Sequence, residues 1–379
     1  MKKLKFFYFL AVCSITLSLP AQENYFPSED KWEEKQPSDF NIDPSEAIEF
    51  AKNNEYSESR DLRQAILKGF QQEPYHEILG PTKRRGGPAG VILKNGYIVG
   101  KWGDVDRVDM TFSVTKSFLA TTALLAHQKG LINSFDDRVE KYVWDDTFEG
   151  PHNSKITWEH LLHQTSDWSG QLWGGFDWAD RPPSSQNIDQ GRGRELNEPG
   201  TSYKYNDVRV NVLAYSLLNV FRNPLPRVLK DEIMDPIGAS TTWRWYGYEN
   251  SWVTIDGLKM QSVSGGGHSG GGMFISTKDM ARFGLLYMND GSWNGKQLLT
   301  PESISKAMEG SNANEKYGYM WWLNRGEGKW ENVPEHVFYA AGFGGNFIVL
   351  DTENDIVVVT RWLEPSKMGE FMNMLYQNL

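Results

Sequence analysis

Two serines of this 379-residue chain lie in short patterns that can turn a hydroxyl group into a nucleophile. Ser113 opens the run "SVTK", in which Lys116 follows three residues later. Ser269 lies in "GHSGG", which matches the G-x-S-x-G pattern of a nucleophile held on a sharp turn between a strand and a helix. An acyl-transfer site uses one nucleophilic serine, so the two patterns are competing predictions.

The segment around Ser113 has the pattern of a buried helix. "TFSVTKSFLATTALLAHQKG" begins with polar residues, ends at Gly130 and is apolar around almost its whole circumference. Ser113 and Lys116 would share one face of its first turn. Burial lowers the pKa of a lysine, so Lys116 would be able to accept the proton of Ser113. The alternative is an ordinary serine and lysine at a helix start, because S-x-x-K is a short pattern.

The surroundings of Ser269 fit the turn pattern poorly. The preceding run "KMQSVSGGG" is not a convincing strand, the strand-like "MFIS" follows it, and the next helix begins only near Thr277. His336 is the single histidine downstream that could act as a base. The alternative is a glycine-rich loop whose backbone passes close to the floor of an active site. We therefore favour Ser113 as the nucleophile.

A tyrosine completes a set of groups that transfer protons without histidine. The run "NEPGTSYKYNDVRVNVLAY" contains a Pro-Gly turn, two tyrosines and an Asn-Asp pair that precedes a helical pattern. Tyr205 would stand at the entrance of that helix, where a phenol is held rigidly. Serine, lysine and tyrosine together form a proton relay suited to acyl transfer.

The elements that would position these residues come from both ends of the chain. Residues 22–40 are polar and indicate a flexible lead-in, and two helical patterns follow, in "DPSEAIEFAKNNE" and "SESRDLRQAILKGF". "VILKNGYIVG" predicts a hairpin around Asn95 and Gly96. Strand patterns return near the C-terminus in "NFIVLD" and "DIVVVTRW". Together they predict an antiparallel sheet built from distant segments.

Taken together, these motifs resemble the serine hydrolases of the class C β-lactamase and penicillin-binding-protein superfamily, particularly its esterase and 6-aminohexanoate-dimer-hydrolase-like branches. The resemblance runs from about residue 86 to the C-terminus. It is carried by "SVTK", "ITWEHLLHQTS", "EPGTSYKYND", "GGGMFISTKDMARFG" and "AAGFGGN". It implies an α/β fold in which an antiparallel β-sheet is flanked by helices, with an inserted, mostly helical region and a cleft between the two parts.

The chain is divided accordingly into a leader, an N-terminal region and one hydrolase-like domain. The bounds are 1–21 for a signal peptide, 22–85 for the lead-in and helices, 86–379 for the domain, 86–130 and 273–379 for its α/β part, and 131–272 for its helical part.

The resemblance also implies a role for each site residue. Ser113 would form the acyl-enzyme, with Lys116 as its activating neighbour. Tyr205 would act as general base and then as acid to the leaving group. The oxyanion hole would combine the backbone N–H groups of Ser113 and Phe343.

Two positions depart from the pattern of this superfamily. Asp207 stands where its Tyr-x-Asn motif has asparagine. That carboxylate would keep Lys116 charged, attract a cationic substrate group or cap the following helix, and we favour the cap. Ala340-Ala341-Gly342 replaces the Lys-Thr-Gly of β-lactamases, and the missing cation favours an ester or amide without the carboxylate of a β-lactam.

Other expected substrate contacts are Trp173, Gly342 and Gly344, in addition to Asp207. Trp173 lies in the tryptophan-rich stretch 167–183, which is either a cleft wall or a packed Ω-loop. His160 and His163 have helical spacing but lack the H-E-x-x-H order of a zinc site, so we interpret them as structural. No metal and no cofactor is expected.

The chain start "MKKLKFFYFLAVCSITLSLPAQ" has the basic, apolar and small-residue order of a secretory signal peptide, cleaved after Ala21. Cys13, the only cysteine, would leave with it; a lipoprotein anchor there is disfavoured because Val12 occupies a position that needs a small residue. The formal charge of −10 disfavours nucleic acid and anionic membranes as partners. We expect a secreted or periplasmic protein without a stable membrane span, acting on a small molecule, with the oligomeric state left open.

Three functions remain compatible with the sequence. The first is a serine hydrolase that cleaves an ester or small amide. The second is a D-amino-acid peptidase, a carboxypeptidase or a weak β-lactamase of the same fold. The third is a non-catalytic protein that retains the fold and binds a ligand in an aromatic cleft, which the intact Ser-Lys-Tyr set disfavours. The shape of the pocket separates the first two, and the sequence does not show it.

Overall fold

The computed structural model describes residues 25–182 and 193–379. The predicted leader with Cys13 lies outside the described residues, as does Pro183 at the end of the tryptophan-rich stretch. Within these two ranges, no helix combines the length and the apolar character needed to cross a membrane.

The strands of the described residues belong to two larger sheets and two short hairpins. They are β1 (Ala89–Lys94), β2 (Tyr97–Trp102), β3 (Asp109–Met110), β4 (Gln171–Leu172), β5 (Gly175–Phe176), β6 (Arg244–Ile255), β7 (Leu258–Val263), β8 (Gly272–Ile275), β9 (Ser292–Trp293), β10 (Lys296–Gln297), β11 (Trp322–Leu323), β12 (Phe338–Gly342), β13 (Asn346–Asp351) and β14 (Ile356–Arg361).

The α-helices of the same ranges come mostly between β3 and β11 in the chain. They are α1 (Ser45–Asn53), α2 (Leu62–Gly69), α3 (Thr115–Gln128), α4 (Gly150–Asn153), α5 (Trp158–Leu162), α6 (Asp207–Phe221), α7 (Leu225–Leu229), α8 (Thr277–Met288), α9 (Pro301–Ala307) and α10 (Met368–Tyr376).

The main sheet is antiparallel and joins the two ends of the chain, as the sequence predicts. Its six strands follow the order β11-β12-β13-β14-β1-β2. β1 and β2 form the predicted hairpin, and its turn residues Asn95 and Gly96 both have positive φ, of 51° and 83°. A turn with two positive φ values matches the twist of a two-residue hairpin, which explains the Asn-Gly pair.

Helices cover both faces of this sheet. Along β14, Val357 and Val359 belong to the large core that includes α3 and α8, whereas Ile356 and Val358 face the smaller core that includes α1 and α10. This alternation buries successive residues on opposite faces. The predicted class, an antiparallel sheet flanked by helices, is confirmed.

The second sheet, of order β3-β8-β6-β7, leads the chain into the segment that contains Ser113. Arg361, at the end of β14, is buried and donates hydrogen bonds to the Met110 carbonyl at 2.8 Å and to Asn346 Oδ1 at 3.0 Å. Its guanidinium group thereby joins the six-stranded sheet to β3, immediately ahead of Ser113.

The expected flexibility of residues 22–40 is wrong for the described part of that segment. The Trp32 indole N–H donates to the Gly96 carbonyl at 2.8 Å, and the Lys35 amide donates to the Ile98 carbonyl at 2.9 Å. Tyr25 stacks on Tyr97 with ring centroids 4.4 Å apart. The segment covers the open edge of β2. Its composition is mostly polar, but Tyr25 and Trp32 supply the apolar contact with the strand.

The inserted region 131–272 contains α4 to α7, but it also contains the long β6–β7 hairpin, which the sequence analysis missed. The turn consists of Asp256 and Gly257, with φ of 53° and 78°. Asp-Gly is a hairpin signal of the same kind as Asn-Gly. Buried and exposed residues do not alternate regularly along β6, so the strand pattern next to the turn is weak.

Candidate active site

Ser113 and Lys116 occupy one turn at the start of the buried helix, as the sequence predicts. Ser113 lies in a 3-10 turn, Phe112–Val114, that continues directly into α3, and Lys116 lies in the first turn of α3. The Lys116 ammonium group donates a hydrogen bond to Ser113 Oγ at 2.9 Å. The lysine side chain is only 1% exposed, so the bond lies in a region of low dielectric constant.

The residue before Ser113 has a strained backbone. Phe112 has φ of 48°, a left-handed conformation that bulky residues rarely adopt. Its ring is held between Phe343, 5.1 Å away, and Trp362, 6.4 Å away. Strain of this kind costs about 1–3 kcal/mol and persists only where packing enforces it. Here it bends the chain from β3 into α3 at the point where Ser113 faces the cavity.

Asp207 does not cap the following helix, contrary to our preference. Asn206 is the N-cap of α6, and its side-chain oxygen accepts a hydrogen bond from the Arg209 amide at 3.0 Å. The Asp207 carboxylate instead lies 2.5 Å from Lys116 Nζ. Because the neighbouring asparagine satisfies the helix end, the aspartate is free to pair with the buried lysine.

Tyr205 lies two residues before α6, at the predicted entrance. Its ring is 4.6 Å from Lys116 Nζ and 5.1 Å from the guanidinium carbon of Arg181. On its other side it stacks against Trp322, with ring centroids 5.8 Å apart. The structure therefore brings Ser113, Lys116 and Tyr205 together around one ammonium group.

A second cation, which the sequence analysis missed, balances Asp207. Arg181 Nη1 lies 2.7 Å from Asp207 Oδ2 and 2.5 Å from Asp180 Oδ1. Asp180 also accepts a hydrogen bond from the Asp207 backbone amide. Two carboxylates and two cations thus form a compact network whose formal charges cancel, which is the condition for burying charged groups.

This network reverses the expected effect of burial on the lysine. Desolvation is the largest single effect and by itself would lower the pKa of Lys116, but the charge and hydrogen bond of Asp207 together with Tyr205 outweigh it and hold the pKa above its usual value. Burial would likewise raise the pKa of Asp207, whereas Lys116 and Arg181 lower it. Lys116 is therefore a charged donor to Ser113, and the sequence-based expectation of a neutral lysine is wrong.

The glycine-rich loop 265–272 passes directly over the ion pair, as its alternative interpretation predicted. A Cβ atom added to Gly266 would overlap both Asp207 Oδ1 and Lys116 Nζ. Gly342 has the same role beside Ser113, because an added Cβ would lie 3.2 Å from the Ser113 nitrogen and would overlap the Thr111 carbonyl oxygen. These glycines are needed for close approach of the backbone.

The cavity above Ser113 has a volume of about 600 Å³. Ser113, Tyr205, Asp207 and the segment from Ala341 to Gly344 line it, which includes Phe343 and both glycines proposed as substrate contacts. Much of the remaining wall is aromatic, in agreement with the expected aromatic cleft. The aromatic lining residues are Tyr56, Phe70, Phe112, Tyr205, Trp322, Trp330, Tyr339, Phe343 and Phe347.

Trp173 does not line this cavity, contrary to the expectation for a substrate contact. It borders a second, smaller cavity and packs edge-on against Tyr215 at 5.6 Å. The described part of the tryptophan-rich stretch is held down by Asp167, whose carboxylate pairs with Arg194 at 2.7 Å and Arg209 at 2.6 Å. This arrangement agrees with the packed-loop alternative for most of the stretch, whereas Arg181 near its end lines the cavity of Ser113, as the cleft-wall alternative predicted.

Ser269 lies apart from Lys116, also on the wall of the smaller cavity. Its backbone carbonyl accepts hydrogen bonds from the amides of Leu79 and Gly80, at 2.8 Å and 3.0 Å. The strand β7 does precede it, contrary to our expectation, but β8 and not a helix follows. His336 pairs with Asp351 at 2.7 Å and is not among the residues that line the smaller cavity with Ser269, so the structure does not bring this histidine to that serine.

The histidine of the "GHSGG" run does reach the site, although its serine does not. His268 lines the cavity of Ser113, and its Nδ1 lies 3.5 Å from Asp207 Oδ2. Its Nε2 lies 2.6 Å from Glu73 Oε2. Sequence reasoning missed His268, Glu73 and Arg181, and the only signal for them was a histidine between the glycines of a loop already placed near the active site.

His160 and His163 are structural, as predicted. His160 forms a reciprocal capping box with Thr157 at the start of α5. His163 Nε2 lies 3.0 Å from the Glu309 carbonyl oxygen.

Comparison with known proteins agrees with this architecture. The model of a protein family described as Beta-lactamase matches residues 76–363. A protein of Escherichia coli (strain K12), provisionally named D-alanyl-D-alanine carboxypeptidase, is 22% identical over 343 residues, which cover 71% of this chain and 76% of that protein.

Solved structures share the fold. A provisionally named 6-aminohexanoate-dimer hydrolase from Bacillus anthracis has a TM-score of 0.57 at 17% identity, covering 93% of this chain and 88% of its own. A family VIII carboxylesterase has a TM-score of 0.56 at 16% identity, covering 84% and 96%. The resemblance inferred from the sequence motifs is confirmed.

Substitution of Gly266 tests the close approach of the loop to the ion pair. We expect Gly266→Ala to lower the free energy of unfolding by about 1–3 kcal/mol, because the new methyl group overlaps buried charged atoms. The measurement is urea unfolding followed by circular dichroism. Gly193→Ala is the matched control, since its Cβ would meet no atom within 4 Å among the described residues. Equal stability of the two variants would contradict the packing described.

Asp207→Asn tests the ion pair. At neutral pH we expect about 3–5 kcal/mol of destabilisation, because Lys116 loses its buried partner. The raised pKa of Lys116 contributes stability below the unfolded value of about 10.4, lost as pH rises through the folded value. The lowered pKa of Asp207 contributes stability above about 3.9, lost as pH falls through its folded value.

Unfolding measured from acidic to alkaline pH should therefore lose both dependences in Asp207→Asn. Asp256→Asn is the control, because its partner Arg222 is exposed and their surface pair contributes little. If the two variants were equally stable at neutral pH, the buried pair would not have the importance assigned to it.

Proposed function

The chain belongs to the beta-lactamase family, and from that premise we propose that it is a serine hydrolase that cleaves an ester or a small amide through an acyl-enzyme on Ser113. One observation carries the proposal: a buried, charged lysine donates a hydrogen bond to a serine hydroxyl at the floor of a large cavity. Burying a lysine costs desolvation free energy, and the contact with Ser113 gives the buried ammonium group a role in the proposed reaction.

When Ser113 Oγ attacks the carbonyl carbon, Tyr205 in its phenolate form accepts the serine proton and becomes a neutral phenol, while negative charge develops on the carbonyl oxygen. Lys116 stabilises the developing alkoxide through its 2.9 Å hydrogen bond, as a cation and not as the primary base. Tyr205 then returns the proton to the leaving group, and water releases the acyl group by the same route.

The oxyanion would be held by the backbone N–H groups of Ser113 and Phe343. The approach of Gly342 to the Ser113 nitrogen supports this role, because it places the end of β12 beside the start of α3. Donors fixed by a strand and a helix need no reorganisation when the charge develops.

The substrate proposed is an ester or amide with an apolar or aromatic group. The aromatic wall of the cavity supports that choice. Ala340 offers no cation at the position of the β-lactamase lysine, and the charge of Arg181 is balanced by Asp180 and Asp207. A free carboxylate on the substrate therefore has no unbalanced cation in these contacts. The leader pattern at 1–21 supports export of the protein.

Covalent labelling identifies the nucleophile. Intact-mass spectrometry after incubation with a fluorophosphonate should show one adduct per chain, lost in Ser113→Ala and retained in Ser269→Ala. The ammonium group of Lys116 would stabilise the alkoxide of Ser113, whereas Ser269 lies on the wall of the smaller cavity, away from that hydrogen bond.

An adduct lost only in Ser269→Ala would overturn the assignment. Benzylpenicillin in a parallel incubation separates the substrate classes, because a stable penicilloyl adduct on Ser113 would favour the peptidase alternative over the esterase. No adduct with either reagent, together with no hydrolysis of aryl esters, would favour the binding protein.

Tyr205→Phe tests the proton relay. Loss of the phenolic oxygen should lower kcat for an aryl ester at least about 100-fold with little change in KM, since a proton-transfer partner acts in the transition state. Tyr339→Phe removes a hydroxyl group from the same cavity wall and serves as the control, with activity close to that of the unsubstituted enzyme. Full activity of Tyr205→Phe would exclude the tyrosine from the relay.

A further inference from the structure

On the wall of the smaller cavity, next to Asp207, three side chains with metal-binding atoms meet. Glu73 and His76 lie in the loop after α2, and His268 lies in the glycine-rich loop. Glu73 Oε2 is 2.6 Å from His268 Nε2 and 3.8 Å from His76 Nδ1. One donor atom from each residue lies within 4.8 Å of the other two.

The cluster is buried yet borders a space of its own. The three side chains are 7%, 5% and 8% exposed for Glu73, His76 and His268. All three line the smaller cavity, whose volume of about 60 Å³ is enough for an ion and a bound water. His76 Nε2 is buried and has no hydrogen-bond partner among the described residues. The nitrogen of His76 that faces Glu73 is Nδ1, 3.8 Å from Oε2, and Nδ1 is therefore the atom that would reach an ion in the cluster.

We propose that Glu73, His76 and His268 bind one zinc ion. Two imidazoles and one carboxylate form a donor set that suits Zn²⁺ and leaves the fourth position open for water. Calcium and magnesium prefer sites made of oxygen atoms, which this cluster does not offer. No local pattern marks the site, because Glu73 and His268 lie 195 residues apart in the chain.

The hydrogen bonds around the cluster already orient its ligands. Glu73 Oε1 accepts a hydrogen bond from the Arg181 backbone amide at 3.1 Å, which leaves Oε2 directed to His268. In the metal-free arrangement a proton lies between His268 Nε2 and Glu73 Oε2. The ion would replace that proton and ligate both atoms.

His268 Nδ1 accepts a hydrogen bond from Arg181 Nη2 at 3.3 Å and lies 3.5 Å from Asp207 Oδ2. Zinc at Nε2 would move the ring proton to Nδ1, so the guanidinium group would have to turn away and Nδ1 would then donate to Asp207. A histidine that binds a metal through one nitrogen and donates to a carboxylate through the other is a common arrangement in zinc sites. The proposed site is thereby connected to the ion pair of Lys116, although binding of zinc does not depend on the proposed hydrolase activity.

A neighbouring trio is a weaker candidate. Asp180, Asp207 and His268 also have donor atoms within 4.8 Å of one another. Arg181 lies between its two carboxylates, and Lys116 occupies the other oxygen of Asp207. A divalent ion there would be repelled by both cations, so the proposal is confined to the first cluster.

Zinc binding to the full chain provides the test. The protein is freed of metal with a chelator and titrated with ZnCl₂ in a calorimeter. One ion per chain is expected, and His76→Ala, His268→Ala and Glu73→Gln should each weaken binding at least tenfold. His336→Ala is the control, since this histidine also pairs with a carboxylate but belongs to neither cluster. Replacement by Co²⁺ should give the visible spectrum of a site with four or five ligands.

Absence of zinc binding would overturn the proposal, and so would binding that His76→Ala and Glu73→Gln leave unchanged, which would indicate a surface ion. Glu73→Gln decides the matter if either histidine variant fails to fold by circular dichroism, because glutamine keeps the size of glutamate and, through its amide oxygen, the hydrogen bond from the Arg181 backbone amide. Ser113→Ala should bind zinc normally, so failure of the metal site and failure of the hydrolase proposal are separate results.

Discussion

The ion pair between Lys116 and Asp207 is the interaction on which the site depends. Both side chains are almost fully buried, at 1% and 3% exposed, and their charged atoms lie 2.5 Å apart. Buried charges are stable only when each has a partner and its remaining hydrogen bonds are satisfied. Ser113 takes one bond from the ammonium group, and Arg181 balances the second carboxylate oxygen. Ser113 is thus held by the same contacts that stabilise the buried charges.

The ion pair lies where segments that are distant in sequence meet. α3 supplies the lysine, α6 the aspartate, and the glycine-rich loop closes over both without a side chain at Gly266. Arg361 ties the main sheet to β3, which fixes where α3 starts. Phe112 keeps its strained φ at this point because aromatic rings pack against its side chain. Rigid surroundings of this kind are what a preorganised site requires.

Aspartate in place of asparagine at position 207 has consequences beyond the helix end. A neutral amide would leave Lys116 without a carboxylate partner, whereas the carboxylate also pairs with Arg181 and lies 3.5 Å from His268 Nδ1. The site therefore contains a second cation and a histidine connected to Glu73, on a wall shared by two cavities. The departure from the family motif accounts for the electrostatic network, and with it for the charged state of the lysine.

By itself the sequence determined the sheet, the hairpin at Asn95, the buried helix and the serine, lysine and tyrosine of the site, because each leaves a local pattern of periodicity, turn residues or motif spacing. It also placed the glycine-rich loop near the site. Only the tertiary structure decided which acid meets Lys116, since a carboxylate at a helix start serves equally well as a cap or as an ion-pair partner until its neighbours are known. Arg181 and His268 entered the site for the same reason: the sign of a pKa shift and the partner of a buried charge are set by residues distant in sequence, and no local pattern records them.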